Sequence, residues 1–85
     1  DTDTFRGLAL AYQAMEKGGN IPTVYNAANE KAVSLFLDRR ISYLQITELI
    51  EACMEEASYI ADPTVDEILG TEAEAYEFIE KKILK

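Results

Sequence analysis

The 85-residue sequence contains no histidine, and it has only one cysteine and two prolines. Without histidine, the Ser-His-Asp triad, the metalloprotease helix motif and the Glu-x-x-His di-iron site are excluded. The lone Cys53 excludes a zinc-thiolate site and an intramolecular disulfide, and it predicts a small core residue in a reducing compartment. No apolar run approaches the ~20 residues of a membrane span and no signal peptide is visible, so we expect a cytoplasmic protein with no membrane partner.

Basic residues are also few, because 8 Lys and Arg stand against 16 Asp and Glu and give a formal charge of -8. Phosphate groups are bound mainly by Lys and Arg, so this balance argues against nucleic acid or an anionic membrane as a partner. Apolar residues make up 48% of the chain, and a chain of this length can bury one modest core. We predict an all-α fold, a small four-helix, bundle-like domain with short loops over residues 1–85.

The spacing of apolar residues by three and four predicts which side of each outer helix faces the core. The first helix is capped by Thr2, Asp3 or Thr4 and ends at Gly18-Gly19. Its predicted inward residues are Phe5, Leu8, Ala9, Tyr12 and Met15. Those of the third helix are Ile46, Leu49, Ile50, Cys53 and Ala57. Those of the last helix are Ala75, Tyr76, Ile79 and Ile83, with Phe78 flanking them and Lys81, Lys82 and Lys85 closing the end.

Two capping boxes predict helix starts in the last third of the chain. Thr64 with Glu67 is the first, and Thr71 with Glu74 is the second, so two separate starts are expected on either side of Gly70. Earlier in the chain, residues 41–44 alternate in polarity and predict a short extended segment.

The central helix, about 15 residues long between Pro22 and Leu37, is apolar over more than half of its circumference. Such a helix has to be covered on several sides. Asn29 falls inside the apolar arc and Asn26 lies near its edge. A buried amide without partners costs about 1 to 3 kcal/mol, so we expect both side chains to bond to loop backbone or to a neighbouring helix.

Asn26, Asn29 and Glu30 are the one polar group that could form a small site, but three residues within one turn more often join a helix to its neighbours. Carboxylate pairs such as Glu55/Glu56 lack the ligand spacing and the mid-loop glycine of a calcium loop. No phosphate-binding glycine loop is present. We therefore expect no catalytic, no cofactor-binding and no metal-binding residue in this chain.

Acyl carrier proteins are also acidic four-helix domains, and their phosphopantetheine attaches to the serine of Asp-Ser-Leu at a helix start. Here Ser34-Leu35 follows Val33 in the middle of a helix, which argues against a carrier. A free-standing acidic helical interaction or carrier module remains the alternative to the interpretation given next.

Several segments resemble the C-terminal helical domain of 1-deoxy-D-xylulose 5-phosphate reductoisomerase. The similarity runs through residues 12–19, 21–30, 32–33, 36–37 and 41–46, and it continues through Pro63 and residues 66–75. Its most specific part is Asn-Ala-Ala-Asn-Glu at residues 26–30 with the preceding Pro22. Gln45 departs from an aspartate that the family often has at a helix start, and Tyr76 departs from a common arginine, which affects capping and surface charge.

The resemblance implies that this chain is the C-terminal domain of a longer enzyme, an NADPH-dependent oxidoreductase of the non-mevalonate route to isoprenoids. It also implies that NADPH, a divalent cation (Mg or Mn) and the substrate phosphate are held by preceding domains of the same chain, and that the full-length enzyme is a homodimer. No residue of those sites can be transferred to this sequence. The 85 residues are then expected to be an accessory domain that has no catalysis of its own.

Overall fold

The structure, a computed structural model, describes residues 2–84 apart from the side chain of Asp3. It contains four helices, α1 (Thr2–Lys17), α2 (Ile21–Leu37), α3 (Tyr43–Glu56) and α4 (Val65–Ile83), and residues 2–84 include no strand. The predicted all-α, four-helix architecture is confirmed. The suggested roles of Asp3 in capping and of Lys85 at the last helix end lie outside the described residues. Across residues 2–84, no helix has the length and apolar content that crossing a membrane would need.

The core forms around one side of α2. Ala27, Ala28 and Ala32 lie on this side and are almost completely buried, and such small side chains let neighbouring helices approach closely. The helices α2 and α3 each contact all three others, whereas α1 and α4 do not contact each other within the described residues. The other buried apolar residues are Leu10, Ala14, Ile21, Val24, Leu35, Ile41, Leu49, Ile50, Cys53, Met54, Ala75 and Ile79.

The prediction that α2 is covered on nearly all sides is wrong. Its buried residues define one side, and the opposite side leaves Asn26 and Glu30 exposed and Leu37 74% exposed. The physical reason is the number of neighbours: within the described residues only three helices contact α2, and together they leave the side with Asn26, Glu30 and Leu37 exposed. Within the part of the chain that the structure describes, no hydrogen bond of the Asn26 or Asn29 side chain occurs, so neither is the buried, bonded amide that was expected.

The buried amide is instead that of Asn20, which is 2% exposed and stands at the start of α2. Its Nδ2 donates to the Ser58 carbonyl at 2.9 Å and to Thr71 Oγ1 at 3.1 Å, and its Oδ1 accepts from the Ile60 amide at 2.8 Å. The Asn20 backbone N–H also donates to the Ile60 carbonyl at 3.0 Å. One side chain therefore fixes the start of α2, the loop between α3 and α4, and α4 itself.

The chain reaches Asn20 through two glycines in the left-handed region, Gly18 (φ 66°) and Gly19 (φ 56°). A Cβ at Gly19 would lie 2.2 Å from the Ile60 carbonyl oxygen, whereas a Cβ at Gly18 would meet nothing within 4 Å. Gly19 is therefore required for both its conformation and its close contact. The tight turn sets the direction in which α1 leaves the core.

Helix ends are capped by local sequence. The Thr64/Glu67 capping box forms as predicted, since Glu67 N–H donates to Thr64 Oγ1 at 3.1 Å and Thr64 N–H donates to Glu67 Oε1 at 2.9 Å. Gln45 caps α3 in the same way, with its Oε1 accepting from the Ser42 amide at 2.7 Å. At the end of α2, Arg39 (φ 60°) adopts the left-handed conformation that closes a helix.

Two predicted boundaries are wrong. The second capping box does not begin a helix, because α4 continues through Gly70, and the Thr71 hydroxyl is buried and bonded to Asn20 rather than to a helix start. The predicted extended segment at residues 41–44 is also not formed. Ser42 is its extended residue, and the Gln45 cap already starts α3 at Tyr43.

The predicted orientation of α1 is likewise wrong. All five of its predicted inward residues are exposed, and the helix instead buries Leu10 and Ala14 on its other side. Gly7 lies against α3 there, where a Cβ would be 3.5 Å from Thr47 Cγ2, and Arg6 forms an ion pair with Glu51. In α3 the predicted inward side is confirmed for Leu49, Ile50 and Cys53, and in α4 for Ala75 and Ile79.

Substitution of Asn20 by Ala tests the role of the buried amide. The change leaves a carbonyl, an amide N–H and a hydroxyl without their partner, so we expect the free energy of unfolding to fall by about 1 to 3 kcal/mol. Urea unfolding followed by circular dichroism measures it. Asn26→Ala is the matched control, because that amide is exposed and should change stability by less than about 0.5 kcal/mol. Equal effects of the two substitutions would contradict this role.

The paired glycines offer a second test. Gly18→Ala should cost about 1 to 2 kcal/mol, the conformational penalty of a left-handed residue with open space around it. Gly19→Ala should cost more, about 2 to 5 kcal/mol, because the Ile60 carbonyl must also move. Thermal and urea unfolding of both variants measure the difference. A Gly19→Ala protein as stable as Gly18→Ala would show that the turn does not hold the loop closely.

Candidate functional site

The polar group singled out in the sequence lies on the open side of α2. Asn26 and Glu30 are exposed, Asn29 is half-buried, and together with Val33 and Glu72 they line a shallow depression of about 350 Å³. The structure therefore does bring the three predicted residues together, one turn apart on the same helix. They form an open surface of amides and carboxylates rather than an enclosed site.

Glu30 is the member of this group with a defined partner, because its carboxylate accepts a hydrogen bond from the Tyr76 hydroxyl of α4. This bond, together with partial desolvation and the charges of Glu30 and Glu72, raises the pKa of Tyr76 to about 12. Tyr76 stands where an arginine is common in the family that the sequence resembles, and its hydroxyl still reaches Glu30. The contact joins α2 to α4 and offers no activated base or acid at neutral pH.

A second polar cluster joins α4 to α2 and to the loop after it. Glu80 accepts from the Arg40 guanidinium at 2.8 Å, and its other carboxylate oxygen lies 3.2 Å from Lys31 Nζ. The hydrogen bond from Arg40 and the nearby Lys31 ammonium hold the pKa of Glu80 below its ordinary value. Both cations are thus paired with the one carboxylate of Glu80, and the cluster holds helices together.

Cys53 lies beside a cavity of about 180 Å³ between α2, α3 and α4. The thiol is buried, and desolvation raises its pKa to about 11, so it is protonated and unreactive at neutral pH. Asn20 and Thr71 also line this cavity, but their polar atoms already bond to each other and to the α3–α4 loop. This environment is that of a core residue, as the sequence predicts.

A larger groove of about 340 Å³ separates the first half of α1 from α2 and α3. Leu8, Tyr25 and Tyr43 form its rim, and Asn29 contributes a polar group. The ring of Phe36 meets that of Tyr43 edge to face, at 5.7 Å between centroids, and so fixes one wall. The described residues that line the groove are apolar or neutral polar.

Two features of the described residues bear on the cation and the dinucleotide that the resemblance implies for the whole enzyme. Among residues 2–84, no group of three His, Cys, Asp or Glu side chains could hold a metal ion. The Gly18-Gly19 turn does not offer a phosphate site, because the space beside Gly19 is occupied by the Ile60 carbonyl oxygen and the Tyr59 ring. A carbonyl oxygen at that place would repel a phosphate.

Comparison with known proteins identifies a family and several relatives that this chain resembles. Residues 1–78 match the family model described as the DXP reductoisomerase C-terminal domain. The 1-deoxy-D-xylulose 5-phosphate reductoisomerase of Agathobacter rectalis is 62% identical over 82 residues, which cover 96% of this chain and 22% of that protein. The enzyme of the same name from Lachnoclostridium phytofermentans is 53% identical over 85 residues, which cover 100% of this chain and 22% of that protein. The one from Bacteroides thetaiotaomicron is 51% identical over 75 residues, which cover 88% of this chain and 19% of that protein. The chain thus spans about a fifth of the length of these relatives.

The fold is that of an all-α helical domain. The polar contacts described above join its helices and loops to one another. The family match over residues 1–78 and the identities above 50% carry the assignment further. The chain belongs to the DXP reductoisomerase C-terminal domain family, and the resemblance seen in residues 26–30 is confirmed.

The Tyr76–Glu30 contact predicts a dependence of stability on alkaline pH. Because the folded state raises the pKa of Tyr76 from 10.0 to about 12, its contribution is complete below about pH 10 and is lost as the pH rises towards 12. Tyr76→Phe should therefore be less stable than the parent at neutral pH. This difference in the free energy of unfolding should become smaller as the pH rises from about 10 to about 12. Urea midpoints measured across this range test it.

Two controls separate the effect of Tyr76 from that of other groups. The parent and Tyr76→Phe both retain Cys53, so the titration of its thiol affects both equally and drops out of the difference in stability. Tyr12→Phe removes a hydroxyl from an exposed tyrosine and is the control for the loss of a tyrosine hydroxyl as such. A gap for Tyr76→Phe that is constant up to pH 12 would contradict the assigned bond.

Proposed function

We propose that this chain is the C-terminal accessory domain of an NADPH-dependent 1-deoxy-D-xylulose 5-phosphate reductoisomerase, a cytoplasmic oxidoreductase of the non-mevalonate route to isoprenoids. The full-length enzyme isomerises 1-deoxy-D-xylulose 5-phosphate and reduces the intermediate with NADPH to give 2-C-methyl-D-erythritol 4-phosphate, with the aid of Mg or Mn. The observation that carries this proposal is the 62% identity to such an enzyme over 96% of the chain.

Within that enzyme the domain has a structural role and contributes no catalytic, cofactor-binding or metal-binding residue. Three features support this. The sequence lacks histidine, residues 2–84 contain no metal-binding cluster, and the one glycine turn is filled by the Ile60 carbonyl. The polar side chains that do meet, such as Asn20 with Thr71 and Tyr76 with Glu30, hold elements of the domain together.

The partners of the domain are then the preceding catalytic and NADPH-binding domains of the same polypeptide. These domains hold the dinucleotide, the cation and the sugar phosphate, and the full-length enzyme forms a homodimer. The short span of this chain against its relatives, 22% of their length, supports the existence of such preceding domains.

Deletion of the domain tests this role. A full-length reductoisomerase carrying these 85 residues is compared with the same enzyme ended just before residue 1. We expect the shortened enzyme to lose about tenfold or more in kcat/KM for 1-deoxy-D-xylulose 5-phosphate and to unfold at a lower temperature, because the domain supports the site without entering it. The consumption of NADPH measures turnover.

The 85-residue chain alone is the matched control and should not oxidise NADPH with or without Mg. Turnover by the chain alone would place catalysis in this domain. Unchanged activity and Tm in the shortened enzyme would contradict the accessory role.

A further inference from the structure

The first helix presents a row of large apolar side chains to water. Phe5, Leu8, Tyr12 and Met15 follow each other at intervals of three and four on one side of α1, and we refer to these four residues as the α1 face. They are between 53% and 73% exposed. Single exposed apolar residues are ordinary, but a continuous row along a whole helix is typical of a surface that another part of a protein covers.

The helix cannot bury this face by turning. Its opposite side is already packed, with Leu10 and Ala14 in the core and Gly7 against Thr47 of α3. Arg6 is paired with Glu51 of α3, and the left-handed turn before Asn20 sets the direction of the helix. The α1 face is therefore exposed because the domain packs α1 by its other side.

The groove beside α1 extends the same apolar surface. Leu8 belongs both to the α1 face and to the groove, so the two are continuous, and Tyr25 and Tyr43 form the far rim. In a chain with 28% charged residues and a net charge of -8, the described residues that line this groove are apolar or neutral polar. These side chains suit a largely apolar protein surface with neutral polar groups better than an ionic ligand.

The length of the relatives indicates which protein surface can cover the α1 face. This chain matches the family of C-terminal domains, and it spans 22% of reductoisomerases that it matches over 96 to 100% of its own length. In an enzyme of which this is the C-terminal domain, most of the polypeptide precedes α1 in sequence. The first helix is then the element of the domain nearest in sequence to that polypeptide, so the covalent connection holds the preceding part next to the α1 face at high effective concentration.

We propose that the α1 face and the adjoining groove are the surface by which this domain docks on the preceding catalytic part of its own polypeptide. This inference rests on the proposed function and adds to it the docking surface. The face supplies apolar contact area close to the covalent junction, while Tyr25, Tyr43 and Asn29 at the groove supply groups that can hydrogen-bond to the partner surface.

The proposal is tested by labelling in the full-length enzyme. A cysteine is placed in the α1 face by Tyr12→Cys, and a control cysteine is placed on α4 by Leu69→Cys. The two positions are similarly exposed in the domain, 63% and 57%, and α4 does not contact α1 in the described residues. The rate of reaction with a bulky, water-soluble maleimide is measured in native buffer and in denaturant, and the rate of the parent enzyme is subtracted. In native buffer Cys53 contributes little to that rate because it is buried, and in denaturant the subtraction removes its contribution.

We expect Tyr12→Cys to react at least about tenfold more slowly in the native enzyme than in denaturant, and Leu69→Cys to react at similar rates in both. Free reaction at Tyr12→Cys, or equal protection of both cysteines, would overturn the assignment. Protection that disappears on dilution to the monomer would assign the face to a second copy of the chain and would also overturn it.

A charge variant provides a second, independent readout. Leu8→Glu should detach the domain and raise the rate of proteolytic cleavage at the junction before residue 1 by at least about threefold, while Leu69→Glu should leave it unchanged. An unchanged rate for Leu8→Glu would contradict docking through this face. Neither readout depends on turnover, so an enzyme that is inactive on 1-deoxy-D-xylulose 5-phosphate would refute the proposed function and leave the docking result to stand separately.

Discussion

Asn20 connects the start of α2, the loop between α3 and α4, and α4 itself through one buried side chain. Its amide satisfies the Ser58 carbonyl, the Ile60 amide and the Thr71 hydroxyl, all of which would otherwise lose hydrogen bonds on burial. The neighbouring Gly19 lies so close to the Ile60 carbonyl that no side chain fits between them. The arrangement of the last three helices therefore depends on a local contact at the turn before α2.

The packing of α1 decides what the domain shows to its surroundings. Because Leu10 and Ala14 enter the core and Gly7 lies against α3, the larger side chains of α1 point outward. Burial of a large apolar side chain contributes about 1.5 to 3 kcal/mol, and the isolated domain does not obtain this from the α1 face. If the preceding domains cover the α1 face as proposed, this free energy is recovered in the whole enzyme, and the domain and its enzyme stabilise each other.

Four helices, their approximate bounds and the family could be predicted from the sequence, because amphipathic spacing, the Thr64 capping box and the segment at residues 26–30 are local signals. The side of α1 that faces the core could not be predicted, because residues 5–15 are apolar on both sides and the choice depends on packing with α3. This double apolar pattern was itself the available signal that α1 has a second apolar side. Asn20 was also missed, because its partners at residues 58, 60 and 71 are distant in sequence.

The claim that this domain is completed by the polypeptide before it is tested most directly by a structure of the full-length reductoisomerase that carries these residues. The account predicts that Phe5, Leu8, Tyr12 and Met15 are buried there against preceding residues of the same chain, while the Asn20 contacts stay as they are here. A full-length structure in which those four side chains still face solvent would contradict it.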